Sequence, residues 1–120
     1  MLDAQMRRGF LEICVLAALA REDSYGYKIV KDMSACVSVT ESTLYPILRR
    51  LESAGSLSVY SVEHNGRLRK IYHITPKGRQ QPRDFVADWG EIAAMYEFIK
   101  ASTKFDALKT YSGVFKNTPE

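Results

Sequence analysis

From Thr40 to Ala54 the apolar positions recur at helical intervals. Leu44, Ile47, Leu48 and Leu51 fall on one face at about 100° per residue. Thr40 offers a side-chain oxygen to cap the helix start, and Gly55 stands where a helix end wants positive φ. Ser42, Pro46, Arg49 and Ser53 point the opposite way, with Tyr45 and Arg50 on the flanks. One face is suited to a core. The other carries hydroxyls, a phenol and guanidiniums, which suit a DNA groove.

Two helices are predicted before this one. Residues from about Gln5 to Ala20 are apolar nearly all round, with Phe10, Leu11, Ile13, Cys14, Val15, Leu16 and Leu19 on more than one face. Such a helix is buried on several sides, against its own domain and a partner. Ser24 or Asp23 then caps a second helix of about ten residues that ends near Met33. Its inward face is Gly26, Ile29, Val30 and Met33, with Gly26 as a close-packing point. Lys28 and Lys31 lie outside, where solvation outweighs a phosphate contact. The connector Ser34–Val39 completes a helix-turn-helix order.

The pattern changes after Gly55. Leu57–Val62 and Arg69–Ile74 are β-prone runs, and Asn65-Gly66 between them is a hairpin signal. A hairpin directly after a recognition helix predicts a winged helix. Its tip and second strand carry Arg67, Arg69 and Lys70, which suit phosphates or a minor groove.

Thr75 and Pro76 open a last helix. Pro82 is expected to kink or interrupt it, because proline removes one hydrogen bond. Phe85, Trp89, Ile92, Tyr96 and Ile99 then repeat with 4-3-4-3 spacing, the seam of a two-helix coiled coil. A large apolar stripe beyond a complete winged-helix core calls for a second copy of the chain. Phe105, Leu108, Tyr111 and Phe115, spaced 3-3-4, predict a short amphipathic helix, and Gly113 and Pro119 predict order fading after it. A docked helix and a flexible tail both fit Ser102–Glu120.

Composition adds bounds. The 120 residues, 46% hydrophobic, suffice for one domain with an appended helix. No apolar run approaches the roughly 18 residues that span a bilayer, and the N-terminus lacks a signal-peptide pattern. No membrane partner and a cytoplasmic location are expected. Cys14 and Cys36 have no metal-ligand spacing and read as buried free thiols. Between Thr40 and Gln80 the net charge is +4, against +3 for the whole chain, which leaves −1 elsewhere. That uneven distribution is the footprint of a nucleic-acid face.

An enzyme is disfavoured. His64 and His73 have no nucleophile partner, and no phosphate loop, HExxH or CxxC spacing occurs. No metal or cofactor is expected.

Three blocks together resemble a family: YGYKI (Tyr25–Ile29), STLYPILRRLESAGSL (Ser42–Leu57) and GRLRKIYHITPKG (Gly66–Gly78). Their order and spacing are similar to the signature blocks of PadR-type transcriptional regulators over roughly residues 10–80. The Trp-bearing last helix extends the likeness to about 100. The resemblance implies a bacterial winged-helix dimer on a palindromic operator, with the C-terminal helix packed against the partner's first helix. The single C-terminal helix resembles the short-tailed subfamily that includes regulators of multidrug transporters. In some of those, a tryptophan of the last helix lines a pore at the dimer centre and stacks flat aromatic compounds. Trp89 matches it, with Phe85 and Ile92 beside it; a plain dimer-core aromatic fits Trp89 equally. Pro82 departs from the family's continuous helix.

The expected fold is α+β, mainly α: a winged helix-turn-helix with a C-terminal dimerisation helix. Residues 1–80 are its DNA-binding domain, 81–101 its dimerisation helix and 102–120 a tail. The expected function is a homodimeric repressor that binds double-stranded DNA and is released by a small aromatic or hydrophobic effector. Ser42, Thr43, Tyr45, Arg49, Arg67, Arg69 and Lys70 are the expected DNA contacts, Thr43 lying towards the side of its helix. Phe10, Phe85, Trp89, Ile92, Tyr96 and Ile99 are the expected dimer contacts. The alternative is a winged-helix module that binds protein without DNA. Such modules often have acidic or apolar wings, which the basic tip here lacks.

Overall fold

The structure is a computed structural model and describes residues 2–112. Its elements follow in order: α1 (Ala4–Arg21), α2 (Gly26–Met33), α3 (Glu41–Ser53), β1 (Leu57–His64), β2 (Arg67–Ile74) and α4 (Pro76–Ser112). The chain divides into two compact units, one through Phe85 and one from Val86 onward.

In the first unit the predicted apolar faces meet. Leu11, Val15, Leu16 and Leu19 of α1 are buried with Ile29 and Met33 of α2. The whole inward face of α3, Leu44, Ile47, Leu48 and Leu51, joins them. Leu57, Tyr72 and Ile74 seal the core from the base of the hairpin. Each such aliphatic side chain contributes roughly 1.5–3 kcal/mol by leaving water. Phe10 remains at the surface, edge-on to Phe85 of the same chain, with ring centres 5.8 Å apart. Arg50, a flank residue of α3, pairs with Glu12 of α1 and ties the two helices together.

The hairpin is longer than its β-prone runs. Its strands pair antiparallel from Leu57 opposite Ile74 out to His64 opposite Arg67, so only Asn65 and Gly66 form the turn. Both lie in the left-handed region, at φ 53° and 77°, the two-residue turn whose twist matches paired strands. The ladder therefore extends through Glu63, His64, Arg67 and Leu68, beyond the β-prone runs.

The start of α2 differs from expectation. Neither Asp23 nor Ser24 caps it; Tyr25 holds the cap position without a side-chain bond. The reason is a long-range pairing. Ser24 forms a β-bridge with Tyr72, donating its N–H at 3.2 Å and accepting at 2.7 Å. Asp23 turns its carboxylate to Tyr60 and His73 instead.

Pro82 neither ends nor splits α4, which runs through it from Pro76 to Ser112. Proline's φ is itself helical, so the helix carries on past the lost backbone bond and the ring's crowding of the carbonyl four residues back. The side chains of Gln80 and Asp84 bridge the position at 2.8 Å. Helix also continues past Ser102, where a separate segment was expected. Ser102 and Thr103 turn their hydroxyls back to the carbonyls of Ile99 and Lys100, at 2.6 and 2.7 Å. Leu108 and Tyr111 belong to this helix by backbone, whereas Gly113, Phe115 and Pro119 lie outside the described residues.

The cysteines differ too. Cys36 is exposed in the turn that closes α2, where its N–H bonds to Met33, and Cys14 is half-buried. Burial and the neighbouring Cys36 push the Cys14 thiol above its usual range.

Three elements are joined where α3 ends. Gly55, at φ 80°, closes that helix, with Ser56 donating to Leu51 and Gly55 to Glu52, both at 2.9 Å. Thr75 then donates its hydroxyl to the Gly55 carbonyl at 2.7 Å and accepts from Gly78 at 3.1 Å, capping α4 as expected. Lys77 reaches the Ala54 carbonyl. A methyl group on Gly78 would come within 2.2 Å of the Ser56 carbonyl oxygen and 2.9 Å of Ile74. Gly78→Ala is therefore expected to destabilise the first unit by about 1–3 kcal/mol or more. An unchanged urea midpoint for that variant would show that the junction has slack.

Candidate nucleic-acid interface

Helix α3 presents the polar face that its periodicity required. Thr40 caps it, accepting from the Thr43 N–H at 3.2 Å. The same hydroxyl lies 2.9 Å from Ser42 Oγ and donates to Thr43 Oγ1 at 3.1 Å. These three exposed hydroxyls form a small cluster over the first turn. A hydroxyl both donates and accepts and can rotate, so the cluster suits base edges or phosphates. Pro46 and Arg49 continue the exposed face one and two turns on.

Tyr45 has a packing role besides its exposed edge. Its ring lies against Gly26, where an added methyl group would come within 2.8 Å of the phenol oxygen. The phenol donates to Glu41 at 2.9 Å, and that carboxylate raises the Tyr45 pKa, with burial adding to the effect. Tyr45 is thus a wedge between α2 and α3 with one exposed edge. Gly26 is the close-packing point anticipated for it, and tyrosine is what it admits.

The wing's three basic residues do not share a face. Side chains alternate along a strand, so Arg67 and Arg69 project to one side and Lys70 to the other, with Tyr72. Arg67 and Lys70 are exposed. Arg69 is half-buried, its guanidinium carbon 4.0 Å from the centre of the Tyr25 ring. On the same side, Asp23 accepts from Tyr60 at 2.7 Å and lies 2.7 Å from His73 Nδ1. His73 is a strand residue held by a carboxylate, with no catalytic arrangement around it.

Between the wing and the start of α2 and α3 lies an open groove of about 960 Å³. Arg67, Arg69, Lys70 and Tyr45 line it, and so do Tyr25, Tyr27 and His64. The two extra tyrosines stand in the YGYKI block, which carries the family resemblance but no periodicity that marks them as site residues. Ser42, Thr43 and Arg49 lie on α3 outside the groove lining. Lys28 is bound to Glu22 and Asp32, at 2.8 and 3.1 Å, which favours the solvated reading for it.

A polar recognition helix beside a two-stranded basic wing defines a winged-helix DNA-binding protein. Comparison with known proteins gives the family. The model of the transcriptional regulator PadR-like family matches residues 15–84. A PadR-like transcription factor from Bacteroides fragilis is 37% identical, with a TM-score of 0.71 over 80% of this chain and 95% of that one. A PadR family transcriptional regulator from Eggerthella lenta is 34% identical, with a TM-score of 0.70 over 79% and 85% of the two chains. Transcriptional regulator Rv3488 of Mycobacterium tuberculosis is 32% identical over 76 residues, 62% of this chain and 71% of that protein. The chain belongs to the PadR-like family of transcriptional regulators. It is a DNA-binding regulator and not an enzyme. Among the described residues, no helix is long and apolar enough to cross a membrane.

The Asp23 clamp makes the wing's anchorage depend on pH. The hydrogen bond from Tyr60, and then His73, holds the Asp23 carboxyl below its ordinary value of 3.8. A carboxyl with a lowered pKa stabilises the fold above its unfolded value, and that stability is lost as pH falls through the lowered one. Asp23→Asn should therefore lower the urea midpoint at neutral pH, and the gap from the unmodified protein should close in acid below that lowered value. A gap of equal size at both pH values would count against the clamp.

Proposed function

We propose that this regulator acts as a homodimeric repressor on a palindromic operator. The observation that carries the dimer is the apolar seam of the second unit. Trp89, Tyr96 and Ile99 are 54%, 59% and 62% exposed, with Ile92 half-buried between them on the same stripe. Val86 and Met95 widen that apolar surface. A contiguous patch of this kind on a helix favours association, and a two-fold pairing makes the seam complementary to itself. Phe85 and Phe10, which meet in the first unit, are further candidates for the pairing.

On this reading residues 1–80 bind DNA, residues 81–101 pair two copies, and the protein works in the cytoplasm. Each α3 enters a major groove with Ser42, Thr43 and Arg49 towards bases or phosphates. Arg67, Arg69 and Lys70 hold the flanking backbone. Tyr45 contributes its exposed edge. A flat aromatic effector stacking beside Trp89 and Ile92 would change the spacing of the two reading helices and lower operator affinity.

Selection of bound duplexes from a random pool tests the core of the proposal. The expected result is a palindrome with half-sites centred about 10 bp apart. Recovery of single, non-palindromic sites by a monomer would overturn the dimer. Arg49→Ala should weaken operator binding about ten- to a hundredfold without changing the circular dichroism spectrum. Full affinity in a gel-shift titration would remove Arg49 from the interface. Planar aromatic compounds should quench Trp89 fluorescence and release the operator; quenching without release would separate binding from regulation.

A further inference from the structure

The segment Asp23–Tyr25 meets β2 at a single bridge, between Ser24 and Tyr72. One residue on, the Tyr25 ring lies under the Arg69 guanidinium, 4.0 Å from ring centre to guanidinium carbon. That is well inside the range of a cation–π contact. Tyr25 and Arg69 both line the groove between the wing and α2–α3. Arg69 alone of the three wing cations is half-buried.

Stacking constrains a guanidinium in one way and leaves it free in another. The ring occupies one flat face, while all five N–H donors lie in the guanidinium plane and stay available to an anion. An unstacked arginine on a hairpin must give up rotamer freedom when it meets a phosphate. One already lying on a ring has given up much of it in advance.

We propose that Tyr25 is a positioning residue for DNA binding. It fixes the plane of the Arg69 guanidinium so that its N–H edge receives a backbone phosphate at the groove. Tyr25 itself need not touch DNA. It also ties the wing to the start of α2, so both elements meet the duplex as one surface. This inference rests on DNA binding at the wing and does not depend on repression, dimerisation or an effector.

The test is a double-mutant cycle on duplexes taken from the random-pool selection, with salt dependence as the second readout. Tyr25→Phe keeps the ring face and should bind within about twofold of the unmodified protein. Tyr25→Leu should lose about tenfold, and Arg69→Ala at least as much. The double variant should bind no worse than Arg69→Ala, because the ring acts through the arginine. Tyr25→Leu removes no charge, yet it should flatten the salt dependence by up to about one counterion per half-site, as Arg69→Ala does. A residue that merely supported the fold would leave that slope unchanged. Arg69→Lys keeps the charge but not the flat fork. It should bind more weakly than the unmodified protein, which keeps the test decisive if Tyr25→Leu fails to fold.

Additive losses, a full salt slope in Tyr25→Leu, or full affinity in Arg69→Lys would each overturn the proposal. A loss in Tyr25→Phe as large as in Tyr25→Leu would do so too, since it would mean that the phenol itself contacts DNA. If the unmodified protein bound no duplex, the winged-helix reading of the wing would fall along with it. Binding with additive losses would remove the role of Tyr25 alone.

Discussion

The missing side chain of Gly78 is the constraint on which the first unit depends. It lets the start of α4 approach the Ser56 carbonyl more closely than any other residue would allow. Around that contact, residues 54–56 and 75–78 exchange hydrogen bonds from Thr75 to Gly55, from the Thr75 N–H to Ser56 and from Lys77 to Ala54. The C-terminus of the recognition helix, both ends of the hairpin and the head of α4 are thereby fixed within two short stretches of chain. A recognition helix is useful only at a set angle to its wing. Here that angle is held by contacts onto the backbone at the base of the wing.

A second set of ties holds the other side of the wing. The Asp23–Tyr25 segment engages it by side chain, by backbone and by ring, through Tyr60 and His73, through Tyr72 and through Arg69. These three residues lie in the link between α1 and α2, and each of them holds the hairpin. The hairpin is thus braced from below by the α3–α4 junction and along one edge by this connector. A two-stranded ribbon alone is only marginally stable, and such bracing makes it a dependable support for charged residues.

Much of this was legible because it is local. The stripe of Leu44, Ile47, Leu48 and Leu51, the Thr40 cap, the Gly55 stop and the Asn65-Gly66 turn each depend on neighbours within a few residues, and each occurs as read. What the sequence hid was long-range. Asp23 and Ser24 resemble helix caps until the distant hairpin, through Tyr60 of β1 and Tyr72 and His73 of β2, takes their hydrogen bonds. Arg69 resembles a free tip charge until Tyr25 lies under it, and Arg50 a groove residue until Glu12 reaches it. Pro82 does not interrupt its helix for another reason: proline's φ is helical, and the helix runs on past the lost bond with Gln80 and Asp84 bridging the position. For the candidate site, residue types and elements could be read directly, whereas the division of work among them could not. Tyr45 divides itself between packing against Gly26 and an exposed edge, and Arg67 and Lys70 face opposite ways.

The turn at Asn65 and Gly66 sets terms for how this wing can diverge among relatives. Both residues use left-handed backbone, and the strands pair right up to them, so the tip has no spare length. Substitutions along β2 can exchange one cation for another without moving its neighbours. An insertion or deletion of a single residue there is different in kind. It would shift every partner by one and carry Arg67 and Arg69 to the side now held by Lys70 and Tyr72. Changes in wing length should therefore be tolerated in pairs of residues, and a lineage that altered DNA preference through the wing would do so by substitution at fixed length.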